Sequence, residues 1–219
     1  MRFDLHTHTN ASMDGIVPPE KLVEIARKRV DGIAITDHNT MEGWKQVMHI
    51  RDFPIIPGME IKIKENGRTI GDILALFLSE EIQSRSLHEV IDEIKAQDGI
   101  ISIAHPFRSK KPFLKIDEIK NKIDAIEVFN SRCFSDEENE DALRYAKKHR
   151  LAFTAGSDAH TIKEIGRAYT IADAGDLEGL RKAIKKGQTN FEGRRSHPSI
   201  HLISPVAKTS KKLRALLPL

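Results

Sequence analysis

The sequence predicts an α/β fold built on parallel strands, and three observations carry that prediction. Seven short runs rich in Ile, Val and Leu show little polar alternation, the pattern of strands covered on both faces. Segments with helical start signals lie between most of them. Aromatic residues are only 5% of the 219, so the core of such a fold is aliphatic.

The runs fall at residues 2–5, 32–36, 55–59, 73–78, 100–104, 125–129 and 151–155. After the first, Pro18 and Pro19 precede Leu22, Val23 and Ile25, and proline is tolerated in a first helical turn. Glu-Asn-Gly-Arg at residues 65–68 reads as a hairpin turn. Ser86 with Glu89 forms a capping-box pattern ahead of Val90, Ile91 and Ile94, and Ser135 with Glu138 repeats it ahead of Leu143 and Tyr145. Asp176 can cap a last helix carrying Leu177, Leu180 and Ile184. A compact barrel and an open doubly wound sheet both fit this alternation. One domain spans 1–219, with a core over 1–186 and a basic extension over 187–219 expected to pack on it.

Composition excludes several classes. Hydrophobic residues at 39% with 13 glycines exclude a disordered chain. The net charge of +3, from 35 basic and 32 acidic residues, is too small to argue by itself for nucleic acid or a membrane surface. A single cysteine, Cys133, excludes an intramolecular disulfide framework and a Cys-rich zinc module, and reads as a buried, inert thiol. There is no Gly-rich phosphate loop and no dinucleotide fingerprint. Trp44 reads as a packed helix residue. No apolar run is long enough for a membrane span, and the chain opens on a strand pattern rather than a leader, so a reducing cytoplasm is the expected compartment.

The polar residues gather at strand ends. His6 and His8 follow the first run, Asp37 and His38 the second, Glu60 the third, His105 the fifth; Glu127 and Asn130 flank the end of the sixth, and Asp158 and His160 follow the seventh. Only the run at 73–78 lacks such a residue. Parallel α/β folds build their sites at that edge, and five of the ten histidines fall there. His49, His88, His149 and His201 read instead as ordinary core or surface residues. Neutral imidazole and carboxylate suit Zn, Mn and Fe(II). The His-x-His and Asp-x-His spacings place both side chains on one side of an extended chain. About nine candidate ligands oversupply one ion, so two or three clustered ions fit better, and these would generate hydroxide near neutral pH and neutralise phosphoryl charge.

The motifs His6-Thr7-His8-Thr9, Asp14-Gly15, Thr36-Asp37-His38-Asn39, Gly58-Met59-Glu60, His105-Pro106-Phe107-Arg108 and Gly156-Ser157-Asp158-Ala159-His160, with Ile165 and Gly166 after them, resemble the PHP (polymerase and histidinol phosphatase) family in content and order. The resemblance implies a distorted seven-stranded (β/α)7 barrel, TIM-barrel-like, with three clustered divalent metals (Mn, Zn or Fe). It implies His6, His8, Glu60 and Asp158 on the first metal, Glu60 and His105 on the second, and Asp14, His38 and His160 on the third. Asp37 would orient a ligand and Arg108 would face the phosphate. The sequence departs from the family pattern at Asp72, which stands where relatives usually place a histidine. It is read here as a replacement ligand that hardens the second site toward Mn or Fe.

The function expected is a metal-dependent phosphoesterase using metal-activated hydroxide on nucleotides or oligonucleotides. A histidinol-phosphatase-like monoesterase is the alternative within the family. A non-catalytic module binding nucleic acid or a partner is the alternative outside it. Arg194 and Arg195, with Lys208, Lys211, Lys212 and Arg214, are candidates for further substrate phosphates. Leu213, Leu216 and Leu217 fit a second subunit and intramolecular packing equally.

Overall fold

The computed structural model describes residues 1–202 and Thr209. Among the described residues, nine strands form one sheet in sequence order: β1 (Arg2–Asp4), β2 (Gly32–Ile35), β3 (Ile55–Glu65), β4 (Arg68–Leu76), β5 (Ile100–Ile103), β6 (Ala125–Asn130), β7 (Ala152–Gly156), β8 (Ala168–Ala172) and β9 (Thr189–Gly193). β8 pairs with both β7 and β1, which closes β1–β8 into a ring, and β9 lies outside it on β8. The fold is therefore a distorted α/β barrel. All seven runs read from the sequence are strands of the ring. The eighth member, β8, carries Tyr169 and Thr170 between alanines and has no aliphatic run to mark it.

The strands are not all parallel, contrary to the sequence expectation. β3 and β4 are antiparallel, as are β4–β5, β7–β8 and β8–β1. The first reversal is local. Glu65 pairs with Arg68 across a two-residue turn, with Asn66 at φ 48° and Gly67 at φ 75°. Both central residues are left-handed, as a type I′ hairpin requires, and no crossover helix can fit in two residues. β1, β2, β3, β5, β6 and β7 consequently end at one mouth, while β4 begins there.

The helices are α1 (Pro19–Ala26), α2 (Glu42–Val47), α3 (Leu87–Ala96), α4 (Ile116–Ile119), α5 (Asp136–His149) and α6 (Leu177–Lys185), with a final 3₁₀ turn at Pro198–Leu202. Pro19 occupies the first turn of α1, and the Asp176 side chain accepts the Gly179 amide at 2.7 Å to cap α6. The two capping boxes do not form. Ser84 rather than Ser86 meets Glu89, and Glu138 reaches out of its helix to the amides of Ser109 and Phe134, both at 2.8 Å. α5 has Asp136, Glu137 and Glu138 in its first turn and Lys147, Lys148 and His149 in its last, which complements its dipole.

Leu180 and Ile184 of α6 pack with Phe3, Ile56, Leu76, Ile100, Ala125, Ala152 and Ala172. These residues come from the starts of the upward strands and the ends of the downward ones. α6 therefore seals the end of the barrel opposite the mouth. α3 and α5 cover the flank of β3–β6 with Val90, Ile91, Ile94, Ala142 and Ala146, and α1 covers β2 with Leu22, Val23 and Ala26. A fully buried Leu or Ile contributes about 1.5–3 kcal/mol. Among the described residues no helix is long and apolar enough to cross a membrane. His201, as a side chain, and Lys208, Lys211, Lys212, Leu213, Arg214, Leu216 and Leu217 lie outside the described residues.

Candidate metal centre

The antiparallel course of β4 explains the one strand end that lacked a polar residue. Leu76 ends β4 at the sealed floor, while Asp72 sits opposite Lys62, two pairs above the Glu60–Leu74 pair, at the mouth. All nine candidate ligands gather there. Three groups have ligand atoms mutually within 4.8 Å: His8, His38 and His160; His6, His8 and Asp158; Glu60, Asp72 and His105. Asp14 joins through its carboxylate oxygens, 3.5 Å from His38 Nε2 and 3.4 Å from His160 Nε2. Glu60 is central: Oε2 lies 3.4 Å from His6 Nε2, 3.2 Å from His8 Nε2 and 2.8 Å from His38 Nδ1, and Oε1 lies 3.0 Å from His105 Nε2.

Surrounding groups fix which nitrogens face inward. His6 Nδ1 donates to Glu127 Oε1 at 2.8 Å, which leaves Nε2 bare toward the cluster. Ser12 Oγ gives its one proton to Asp37 and accepts the His38 amide, so His8 Nδ1, 3.1 Å away, is a donor too. His160 Nδ1 donates to the Asp158 carbonyl at 2.8 Å. In all three rings Nε2 keeps its lone pair for the centre. Asp37 does not touch the cluster. It accepts from Thr9 N, Thr9 Oγ1 and Ser12 Oγ at 2.7–2.8 Å and so anchors the turn that carries His8. A Cβ on Gly43 would lie 2.0 Å from Asp37 Oδ2, so helix α2 can approach this carboxylate only at a glycine. His105 and Asp158 hold left-handed φ of 29° and 53°, strained for non-glycine residues.

The electrostatics call for positive charge. Burial would raise Glu60 and Asp158, but His38 and His6 around Glu60, and His6 and Arg108 around Asp158, hold both well below the usual carboxylate range. Burial also opposes the shift at Asp14, which His160 and His38 nevertheless pull far down. Against the same burial cost, Glu60 and Asp14 raise His38 to about 10, whereas burial and the neighbouring His8 lower His160 to about 3. Asp14 Oδ1, His38 Nδ1, Glu60 Oε2, Asp72 Oδ1 and His105 Nδ1 are buried without a hydrogen-bond partner. His38 Nδ1 and Glu60 Oε2 are only 2.8 Å apart yet lack donor–acceptor alignment. Orphaned buried donor atoms are costly unless a bound ion satisfies them. Borderline-to-hard N and O ligands with converging lone pairs fit divalent cations.

Arg108 Nη2 donates to Asn130 Oδ1 at 2.7 Å and Asp158 Oδ2 at 2.8 Å, while its buried Nε has no partner. Burial opposes its charge, but Asp158 outweighs that and raises its pKa further. Cys133 is buried beside it and burial pushes its thiol up to about 12, so the thiol stays protonated. Trp44 is half-buried against the core. Arg195 is committed elsewhere, to Asp136 at 2.6 Å and to the Phe134 carbonyl at 2.9 Å, and Arg194 lines a separate cavity on the barrel flank.

Other residues build the centre without having been singled out as site residues in the sequence. Glu127 accepts from His6 and from the His105 amide, at 2.8 Å each. Its place at a strand end was the available signal. Glu164 accepts from the amides of His160 and Thr161 and from Thr161 Oγ1, all at 3.0 Å. Thr161-x-x-Glu164 is itself a capping-box spacing. Ser12 had no signal.

A family model described as the PHP domain matches residues 4–150, and one described as PHP-associated matches 136–189. The chain belongs to the PHP family. As a member it stands among metal-dependent phosphoesterases. The uncharacterised protein MJ0417 of Methanocaldococcus jannaschii is 37% identical over 177 residues, covering 77% of this chain and 69% of that one. The 5′-3′ exoribonuclease Rnm of Salmonella typhimurium is 30% identical over 193 residues, covering 86% of this chain and 56% of the exoribonuclease. A two-domain protein of Bacteroides vulgatus, described as containing a predicted PHP-like metal-dependent phosphoesterase, superposes with a TM-score of 0.74 at 20% identity, over 89% of this chain and 65% of that one.

Proposed function

We propose that this PHP protein hydrolyses phosphate esters of nucleotides or oligonucleotides at a centre of three divalent metal ions. The observation that carries the reading is the convergence of nine His, Asp and Glu side chains, five with an orphaned buried atom, beside the Arg108 guanidinium. His6, His8, Glu60 and Asp158 would hold one ion. Glu60, His105 and Asp72 would hold the second, and Asp14, His38 and His160 the third. Such ions activate water near neutral pH and neutralise phosphoryl charge.

The chain's own groups do the rest. Glu127, Ser12 and the Asp158 carbonyl each accept a hydrogen bond from an Nδ1–H and so present Nε2 of His6, His8 and His160 inward. Asp37 keeps the His8 turn in place. Arg108, steadied by Asn130 and Asp158, would bring its guanidinium charge to an equatorial phosphoryl oxygen. Asp72 supplies oxygen in place of imidazole, which hardens the second position toward Mn or Fe. The exoribonuclease relative supports a nucleotide or oligonucleotide substrate, since the match covers most of this chain.

The test is metal content with product release. Purified protein should carry three divalent ions per chain. At fixed Mn(II), it should turn over a 3′,5′-bisphosphate nucleotide or a short 5′-phosphorylated RNA in preference to histidinol phosphate, and EDTA should stop the reaction. Protein that takes up no metal, or that hydrolyses only histidinol phosphate, overturns the reading.

A further inference from the structure

A cavity of about 620 Å³ opens on the flank of the barrel, outside the metal centre, between the start of β1, the chain after α1, loop 161–167 and strands β8 and β9. Arg2, Arg29, Lys163, Arg167 and Arg194 line it against a single carboxylate, Glu192. The whole chain carries only +3, so this is a local concentration of charge. Two of the guanidinium groups are built into place. Arg29 Nη1 donates to the carbonyls of Ile162 and Ile165 at 2.9 and 2.8 Å. Arg167 donates to the carbonyls of Lys163 at 3.3 Å and Arg195 at 3.1 Å. Carbonyls fix the direction of a guanidinium without cancelling its charge. Arg2 is 3.6 Å from Asp31 and lies over the Tyr169 ring, and Glu192 accepts the Tyr169 hydroxyl at 2.6 Å. Among the described residues, Arg29, Lys163, Arg167 and Arg194 have no carboxylate partner.

The cavity is joined to the centre by one short loop. His160 precedes it, Glu164 inside it holds the His160 amide, and Lys163 and Arg167 face the cavity. The rim between them is apolar and open: Ile16, whose amide donates to the His160 carbonyl at 3.2 Å, is 48% exposed, and Ile162 is 45% exposed. Cations spread along a groove that starts one loop from a phosphoester-cleaving centre suit an extended chain of phosphates better than one compact anion.

We propose that this flank groove binds the backbone of single-stranded nucleic acid, holding the length of strand that extends beyond the scissile end. The proposal rests on the phosphoesterase reading for the strand's course, while the binding itself is measurable without turnover. Guanidinium forks fixed by carbonyls suit phosphate oxygens, and the apolar rim gives the intervening bases a surface to cross.

The test compares the metal-loaded wild type with the double variant Lys163→Ala/Arg194→Ala. Both side chains are exposed and neither makes a hydrogen bond or ion pair among the described residues, so the fold and the centre are left intact. Binding of a fluorescent, 5′-phosphorylated 12-nucleotide RNA with a phosphorothioate backbone is followed by anisotropy across a salt series. The variant should bind roughly tenfold more weakly at low salt, and its log–log salt slope should be shallower by about 1.4. Its kcat/KM on a dinucleotide should match the wild type. Equal RNA binding by the two proteins overturns the groove. So does an equal loss on dinucleotide and 12-mer, which would place the two residues at the centre itself. Groove-dependent binding of a polyglutamate peptide that RNA fails to displace overturns it in favour of an acidic protein partner. A wild type that cleaves nothing but still binds RNA more tightly than the variant keeps the groove and sinks the phosphoesterase reading alone.

Discussion

The two sides of the barrel mouth are equally buried but differently secured. On the β1–β7 side, three ligands have outer anchors: His6 on Glu127, His8 on Ser12, and Asp158 on Arg108 and Asn130. On the β3–β5 side, Glu60 has only the cluster's own imidazoles, and Asp72 Oδ1 and His105 Nδ1 have no partner at all. The first side is preorganised by hydrogen bonds. The second is positioned by the β3–β4 hairpin and the strained backbone at His105, and its unsatisfied atoms leave more for an ion to complete. Outer anchors fix tautomer and ring direction, so their loss acts through the ligand they hold.

The largest expected effect comes from the anchored side. Asp158→Asn replaces a carboxylate whose Oδ1 faces His8 and whose Oδ2 faces Arg108 with a neutral amide, and should lower kcat/KM by about 10³-fold or more. Thermal unfolding should stay within a few degrees of wild type. Near-normal turnover would remove Asp158 from the centre. Next is Glu127→Gln. It weakens the anchor of His6 and of the His105 amide, and should cost roughly 10–100-fold in activity or metal affinity, read by kinetics and by metal titration. If the loss is below twofold, outer anchoring is not what separates the two sides.

The unanchored side is tested at Asp72. Asp72→Ala should release one ion per chain, counted by elemental analysis, whereas Asp72→His should keep the count and shift preference from Mn toward Zn. Full metal content and activity in Asp72→Ala would show that this carboxylate is not a ligand.

The same contrast marks what could be read from the sequence. His6, His8, His38, His105, Asp158 and His160 were legible because each follows an aliphatic run, and strand ends on one side of a sheet must converge. Asp72 was legible only by resemblance, because it precedes the aliphatic run of its strand rather than following it, and the reversal that carries it to the mouth depends on two positive-φ residues at Asn66 and Gly67. β8 was missed because Ala168-Tyr169-Thr170-Ile171-Ala172 holds one branched aliphatic residue and no aliphatic run, although it closes the ring. Asp4 was read only as a strand residue. It is fully buried and accepts from Ser157 N, Ser157 Oγ and Gly166 N at 2.6–2.8 Å, a tertiary tie across more than 150 residues that no local pattern announces.

The smallest effect at neutral pH is expected at Cys133, under Arg108 on the anchored side. Burial holds its thiol protonated up to about 12, against an ordinary value of 9.0. The unfolded chain therefore loses this proton first as pH rises. The native state binds more protons than the unfolded state between those values, so stability falls with rising pH across that window, by up to about 1.4 kcal/mol per pH unit from this group. Well below pH 9 both states keep the proton and the contribution is constant. Chemical denaturation of wild type and Cys133→Ser at pH 8, 9 and 10 isolates the group from the lysines and tyrosines that titrate nearby. The difference between the two proteins should shift only slightly from pH 8 to 9 and more steeply from pH 9 to 10, in favour of Cys133→Ser, with turnover at pH 7 nearly unchanged. A difference that stays flat to pH 10 would mean the thiol ionises as readily in the native state as in the unfolded chain, and that Arg108, rather than burial, governs this corner of the anchored side.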